Sequence, residues 1–94
     1  MRKYHVVYTA SFKRSYKRAR KRGQDLSKLE LTIDLLASGN KLPVSYNDHA
    51  LTGNWAGHRE CHIEPDWLLV YYKKEDVLVL TLVETGSHSD LFKT

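Results

Sequence analysis

Residues 58–83 limit the fold more than any other stretch, because three strand-like runs follow one another with only short turns between them. Residues 58–64 alternate, with Arg59, Cys61 and Ile63 on one face and His58, Glu60, His62 and Glu64 on the other. Pro65-Asp66 turns the chain. Residues 67–72 (Trp-Leu-Leu-Val-Tyr-Tyr) form a nearly continuous apolar strand, residues 73–76 turn the chain again, and residues 77–83 make the last long strand. Connections this short cannot carry the crossover that parallel neighbours need, so the three strands form an antiparallel meander.

The first forty residues have a different period. Residues 3–8 (Lys-Tyr-His-Val-Val-Tyr) read as a short strand, and Ser11 offers a side-chain oxygen to cap a helix over residues 12–22 that Gly23 ends. Phe12, Tyr16 and Ala19 form its apolar stripe, which assigns Tyr16 to the core and leaves Lys13, Arg14, Lys17, Arg18, Lys21 and Arg22 mainly on the wet sides. A second helix starts at Ser27, where Ser-Lys-Leu-Glu has capping-box form with Glu30, and runs to about Ala37 before Gly39; Leu29, Ile33 and Leu36 give it a buried side. The two helices are expected to form an antiparallel hairpin on the sheet. Residues 42–54 read as a connection with little regular structure, and residues 84–94 as a tail too polar for core apart from Leu91 and Phe92. The expectation is one α+β domain over residues 1–94.

No apolar run approaches the roughly 20 residues that cross a bilayer, and the start of the chain lacks a signal-peptide pattern, so a cytoplasmic location with no membrane partner is expected. Cys61 is the only cysteine, which rules out an intramolecular disulfide; it is assigned to the core and given no chemistry. Of the 15 Lys and Arg residues, nine lie in positions 1–22, the first acid is Asp25, and the remainder has six bases against 11 acids, a balance of −5. A basic segment of this kind attracts polyanions by releasing condensed counterions. Charge alone fits a solvated helix face equally well.

Four of the five histidines fall after position 48. Histidine both accepts and donates protons near neutrality, which is what transesterification of RNA needs: a base for the 2′-hydroxyl, an acid for the departing 5′-oxygen and a cation for the non-bridging oxygens. Spacing does not show that His62, Asp66 and His88 meet, and each taken singly is an ordinary surface or turn residue. Trp67 and Phe92, taken singly, are core residues more readily than nucleobase platforms.

Three longer runs alter that balance. Asn-Asp-His-Ala-Leu-Thr-Gly-Asn-Trp at positions 47–55, Arg-Glu-Cys-His-Ile-Glu-Pro-Asp-Trp-Leu-Leu-Val-Tyr at 59–71, and Glu-Thr-Gly-Ser-His-Ser-Asp-Leu-Phe at 84–92 resemble the YafQ branch of the RelE/ParE toxin superfamily of bacterial type II toxin–antitoxin systems. The order of elements is similar over essentially the whole chain, and the motifs are specific from Asn47 to Phe92. The resemblance implies a RelE-like fold, an N-terminal strand and two-helix hairpin packed on a mainly antiparallel sheet. It implies an endoribonuclease that cleaves mRNA on translating ribosomes, restrained by a cognate antitoxin, with the toxin–antitoxin complex binding operator DNA.

By position, His49, His62, Asp66 and His88 are then catalytic. His88 is the most sensitive, as an acid or phosphate contact; His62 and Asp66 share proton transfer; His49 positions the substrate or stabilises charge. Trp67 and Phe92 support the site and, with Arg59, bind substrate, while Lys13, Arg14, Lys17, Arg18, Arg20 and Lys21 dock the toxin on ribosomal RNA; an acidic antitoxin segment competes for the same surface or for the cleft. Ala50 stands where such toxins often have Pro, His58 replaces a common aromatic, and Lys93-Thr94 extend past Phe92.

No metal or cofactor is expected. A zinc domain built on His49, His62, His88 and Asp66 is disfavoured because His-x-x-x-Asp is not a recognised ligand pair. The principal alternative is a ParE-like toxin that inhibits a DNA topoisomerase by binding it, which needs no histidine cluster. A plain nucleic-acid-binding or autorepressor module would need only the basic helix.

Overall fold

The computed structural model describes residues 2–92; Lys93 and Thr94, noted above as an extension, lie outside the described residues. Five strands form one sheet in the order β1-β5-β4-β3-β2, with β1 at His5–Tyr8, β2 at His49–Ala50, β3 at Arg59–Glu64, β4 at Trp67–Lys74 and β5 at Val79–Gly86. β3, β4 and β5 are the expected antiparallel meander, while β1 pairs with β5 in parallel. That makes the sheet mixed, and the parallel step is possible because helices α1 (Ala10–Lys21) and α2 (Leu26–Ala37) lie between the two strands in sequence.

The apolar run of β4 is at the sheet centre and is buried on both sides. Trp67, Leu69 and Tyr71 join Cys61, Leu80 and Leu82 against Phe12, Ala19, Leu29, Ile33 and Leu36 of the two helices. Leu68 and Val70 face the other way and are covered by Leu91, with Leu51, Trp55, Val83 and Phe92 packed around them. The pleat divides β3 in the same manner: Cys61 pairs with Leu69 on the helix side and His62 with Leu68 on the opposite side. No helix among the described residues is long and apolar enough to cross a membrane.

Both helices start earlier than the sequence patterns indicate. Thr9, not Ser11, caps α1: its hydroxyl accepts from Phe12 N at 3.0 Å and donates to the Val83 carbonyl at 2.7 Å. The second bond fixes the start of the helix to β5, which Ser11 could not do from two residues further on. Asp25 caps α2 by accepting from Ser27 N at 3.0 Å, so the Ser27 and Glu30 capping box does not form the start.

The connection after α2 is more ordered than expected. It contains two 3-10 turns, Val44–Tyr46 and Gly53–Trp55, and between them the short β2, which continues the sheet beyond β3. The tail is also more structured. β4 and β5 are joined around Leu78, which adopts a left-handed φ of 52°, and β5 continues to Gly86 and buries Thr85 completely. The next turn is helix α3, His88–Phe92, so His88 is the first residue of a helix and not part of a loop.

Candidate functional site

β3 carries His62 on the face away from α1 and α2, and a one-residue irregularity between His62 and Glu64 bends the strand just before the Pro65-Asp66 turn. The turn brings Asp66 against the start of α3. Asp66 Oδ1 accepts two hydrogen bonds from one residue, from His88 N at 2.9 Å and from His88 Nδ1 at 2.7 Å. These bonds, the backbone one foremost, hold the Asp66 carboxyl below its usual range. An ionised carboxylate only accepts, so Nδ1 carries the His88 proton and the lone pair of the neutral ring is on Nε2. Asp66 is thereby the orienting group of His88.

The other two histidines continue the row. The His62 ring centroid lies 5.7 Å from that of His88, and the His49 centroid 6.4 Å from that of His62. His49 is delivered by β2, opposite Glu60 in the ladder. Its Nδ1 donates to the Asn47 carbonyl at 2.7 Å, and its Nε2 lies 2.9 Å from Glu60 Oε2. With Nδ1 already a donor, the short contact to Glu60 requires a proton shared between imidazole and carboxyl.

Glu60 is the residue that sequence reasoning missed. Alternation placed it on the polar face with His62, but burial to 5% exposure depends on β2, which lay in the supposed irregular connection. Its Oε1 is buried with no hydrogen-bond partner among the described residues. Ligand-type atoms of Glu60, His62 and His88 lie within 4.8 Å of one another, a spacing that suits either shared protons or a metal ion.

The four residues read as catalytic thus converge, and Phe92 stands beside them, its ring 6.5 Å from His88 and 5.8 Å from Trp55. Trp55 stacks edge-on with His58, and His58 with Tyr72, an aromatic row that supports the end of α3 from behind. Three other expected roles are corrected.

Trp67 is 1% exposed in the helix-side core and donates from Nε1 to Thr85 Oγ1 at 3.0 Å, so it offers no face to a substrate. Arg59 shares the helix side with its cross-strand partner Tyr71 and donates to Asp48 at 3.3 Å; the pleat turns it away from His62. Arg18 donates to the Thr85 carbonyl at 3.0 Å and is not a free cation for RNA. Lys13, Arg14, Lys17, Arg20 and Lys21 are exposed. Cys61 is fully buried and burial pushes its thiol up, which leaves it unreactive as a nucleophile.

Such an arrangement has known relatives. The chain matches the family of bacterial toxins of type II toxin–antitoxin systems, YafQ, over residues 4–93. It is 41% identical over 88 residues to the mRNA interferase toxin YafQ of Escherichia coli K12, covering 93% of this chain and 94% of the relative. In structure it is similar to a chain of the E. coli DinJ-YafQ toxin–antitoxin complex, with TM-score 0.88 and 36% identity over 96% of this chain and 98% of that one. A metal-bound toxin from Helicobacter pylori also superposes, with TM-score 0.88 and 39% identity over 95% and 99% of the two chains. With the family matched over almost its whole length and the histidine row in place, this chain belongs to the YafQ family of bacterial type II toxin–antitoxin toxins.

Proposed function

We propose that this protein is a ribosome-dependent mRNA endoribonuclease that arrests translation and growth, working by acid–base cleavage of the phosphodiester. The observation that carries the reading is the Asp66–His88 pair beside His62: a ring fixed by two hydrogen bonds to one carboxylate, next to a second imidazole at 5.7 Å between centroids. A phosphodiester seated between them has His62 on one side to take the 2′-hydroxyl proton. The alkoxide attacks phosphorus, the P–O5′ bond breaks, and His88 Nε2, protonated in the reactive form, gives its proton to the departing 5′-oxygen. His49, paired through Nε2 with Glu60 at 2.9 Å, faces the charge on the non-bridging oxygens. In this scheme Asp66 acts through His88 and does not share proton transfer with His62.

A hollow of about 380 Å3 adjoins His62, bordered by Lys28, Leu31, Tyr46, Glu64 and Pro65, and gives a flanking nucleobase room beside the reacting phosphate. The exposed bases Lys13, Arg14, Lys17, Arg20 and Lys21 supply a surface for ribosomal RNA, and a cognate antitoxin covers the toxin in the resting cell. The complex binds operator DNA, and the site of action is the cytoplasm. A topoisomerase inhibitor would have no use for this convergence of histidines.

The test is induction of the wild type and of His88→Ala at equal abundance, with primer-extension mapping of transcripts. Cuts at defined codon positions and growth arrest in the wild type alone support the reading; intact transcripts with growth still arrested overturn it. A second ligand is favoured by Glu60, His62 and His88, whose clustered donor atoms suit a copper or zinc ion. Such an ion ties up the lone pairs that carry protons, so we propose that it inhibits cleavage, reversibly by chelator.

A further inference from the structure

His88 must be held still for this chemistry, yet it opens a helix of five residues, too short to be stable by its own hydrogen bonds. The fastening comes from α1. Arg22 makes a bidentate pair with Asp90, Nη1 to Oδ2 at 2.7 Å and Nη2 to Oδ1 at 3.2 Å. Arg18, one helical turn earlier, donates to the Thr85 carbonyl at 3.0 Å and lies 3.8 Å from Asp90 Oδ2. Asp90 in turn accepts from Ser87 N at 2.9 Å, and its own N–H donates to Ser87 Oγ at 3.1 Å, a reciprocal pair that closes the turn around His88.

Gly86 records how tightly these groups meet. A Cβ added there would come within 2.7 Å of Arg18 Nη2 and 2.9 Å of Asp90 Cβ. The Arg22 side chain is half exposed, whereas that of Asp90 is only 15% exposed. A solvated ion pair would leave both partners free to wander; here one carboxylate collects two guanidinium groups and a backbone N–H.

We infer that Arg22, Arg18 and Asp90 form a clamp between the end of α1 and the turn of α3, and that they are positioning residues for His88. Arg18, expected to face ribosomal RNA, and Arg22, expected on a wet side of the helix, are instead both directed at Asp90 in the turn that carries His88. The activity arm of this inference rests on the ribonuclease reading; its geometric arm does not. With the clamp open, α3 frays, the His88 N–H and Nδ1 separate from Asp66, and the ring loses the tautomer that leaves Nε2 for the substrate.

The experiment compares Arg22→Gln, Arg22→Lys and Asp90→Asn with wild type in two readouts. Cleavage on purified ribosomes carrying a defined message gives kcat and KM, and long-range proton–nitrogen NMR of the free protein gives the His88 tautomer. A misplacement of the order of 1 Å costs about 100-fold in rate, so Arg22→Gln and Asp90→Asn are expected to lower kcat about 10- to 100-fold with KM within about twofold. Arg22→Lys, which keeps the charge and one donor, recovers part of the loss.

His88 is expected to lose its Nδ1–H preference in the two disruptive variants. An unchanged tautomer overturns the inference whatever the rate does, and so does a rise in KM at constant kcat, which makes Arg22 an RNA contact. If the wild type cuts no message, the ribonuclease reading fails while the tautomer still decides the clamp.

Discussion

Thr85→Val tests the part of the core on which the site stands. Thr85 is fully buried, and its hydroxyl accepts from Trp67 Nε1 at 3.0 Å while donating to the Leu68 carbonyl at 2.6 Å. Valine has nearly the same shape, so the change opens no cavity and isolates the hydrogen bonds. It strands the indole N–H in an apolar core and removes one bond from a carbonyl, at roughly 1–3 kcal/mol for the orphaned donor and about 1 kcal/mol for the second bond. The hydroxyl's own burial cost of about 1 kcal/mol is recovered, which leaves a net loss of about 1–3 kcal/mol. For a domain of this size each kcal/mol lowers Tm by about 4–8 °C, so a fall of roughly 4–24 °C is expected in thermal unfolding followed by circular dichroism. A fall below about 4 °C would falsify the view that Thr85 anchors Trp67.

Three further expectations follow from the same geometry. Glu60→Gln removes the carboxylate charge that faces His49 Nε2 at 2.9 Å, and cleavage on programmed ribosomes is expected to fall about 10-fold or more with little change in ribosome affinity; full activity refutes the role given to the pair. Asp90 is held well below the usual carboxylate range, first by Arg22 and then by the Ser87 groups. A depressed folded-state pKa means that its stabilisation is complete above the unfolded value, near about 3.9, and is lost as pH falls toward the folded one. Urea midpoints between about pH 5 and pH 2 should therefore drop more steeply in the wild type than in Asp90→Asn; parallel curves contradict the clamp. Replacing Lys17 and Arg20 with Glu should weaken ribosome binding and flatten its dependence on salt, by roughly one unit of logarithmic slope for each phosphate that is no longer neutralised. An unaltered slope returns that face to plain solvation.

The meander was legible because the pattern itself carries the physics: the Pro65-Asp66 turn, the apolar run from Trp67 and the alternation through His62 allow few arrangements. The candidate catalytic set was legible only by resemblance. Nothing in the spacing of His49, His62, Asp66 and His88 says that β2 and α3 come to the same side of the sheet. What stayed hidden depends on tertiary partners. Thr85 looks polar in sequence and is core because Trp67 and Leu68 satisfy its hydroxyl. Thr9 outcompetes Ser11 as a cap because Val83 stands ready to accept its proton. Arg59 is the one error the sequence could have prevented, since the alternation that sends His62 to one face sends Arg59 to the other.

Helix α1 divides its positive charge by direction. Arg18 and Arg22 are four residues apart and therefore share a face, the one turned to Asp90 and the turn that carries His88. Lys13, Lys17 and Arg20, spaced four and then three residues apart, share another face, where with Tyr8, Tyr16 and Glu30 they border a hollow of about 450 Å3. Counted as composition, all five are one basic segment. Counted by direction, two are proposed to act on the rate of cleavage and three on the encounter with a polyanion. The distinction has a kinetic signature: salt screens an exposed encounter surface within about 10 Å at 0.1 M, but reaches far less into a bidentate pair on a carboxylate that is mostly covered. Raising ionic strength should therefore raise KM long before it lowers kcat, and a parallel decline in affinity and kcat would mean that the two faces do not act separately.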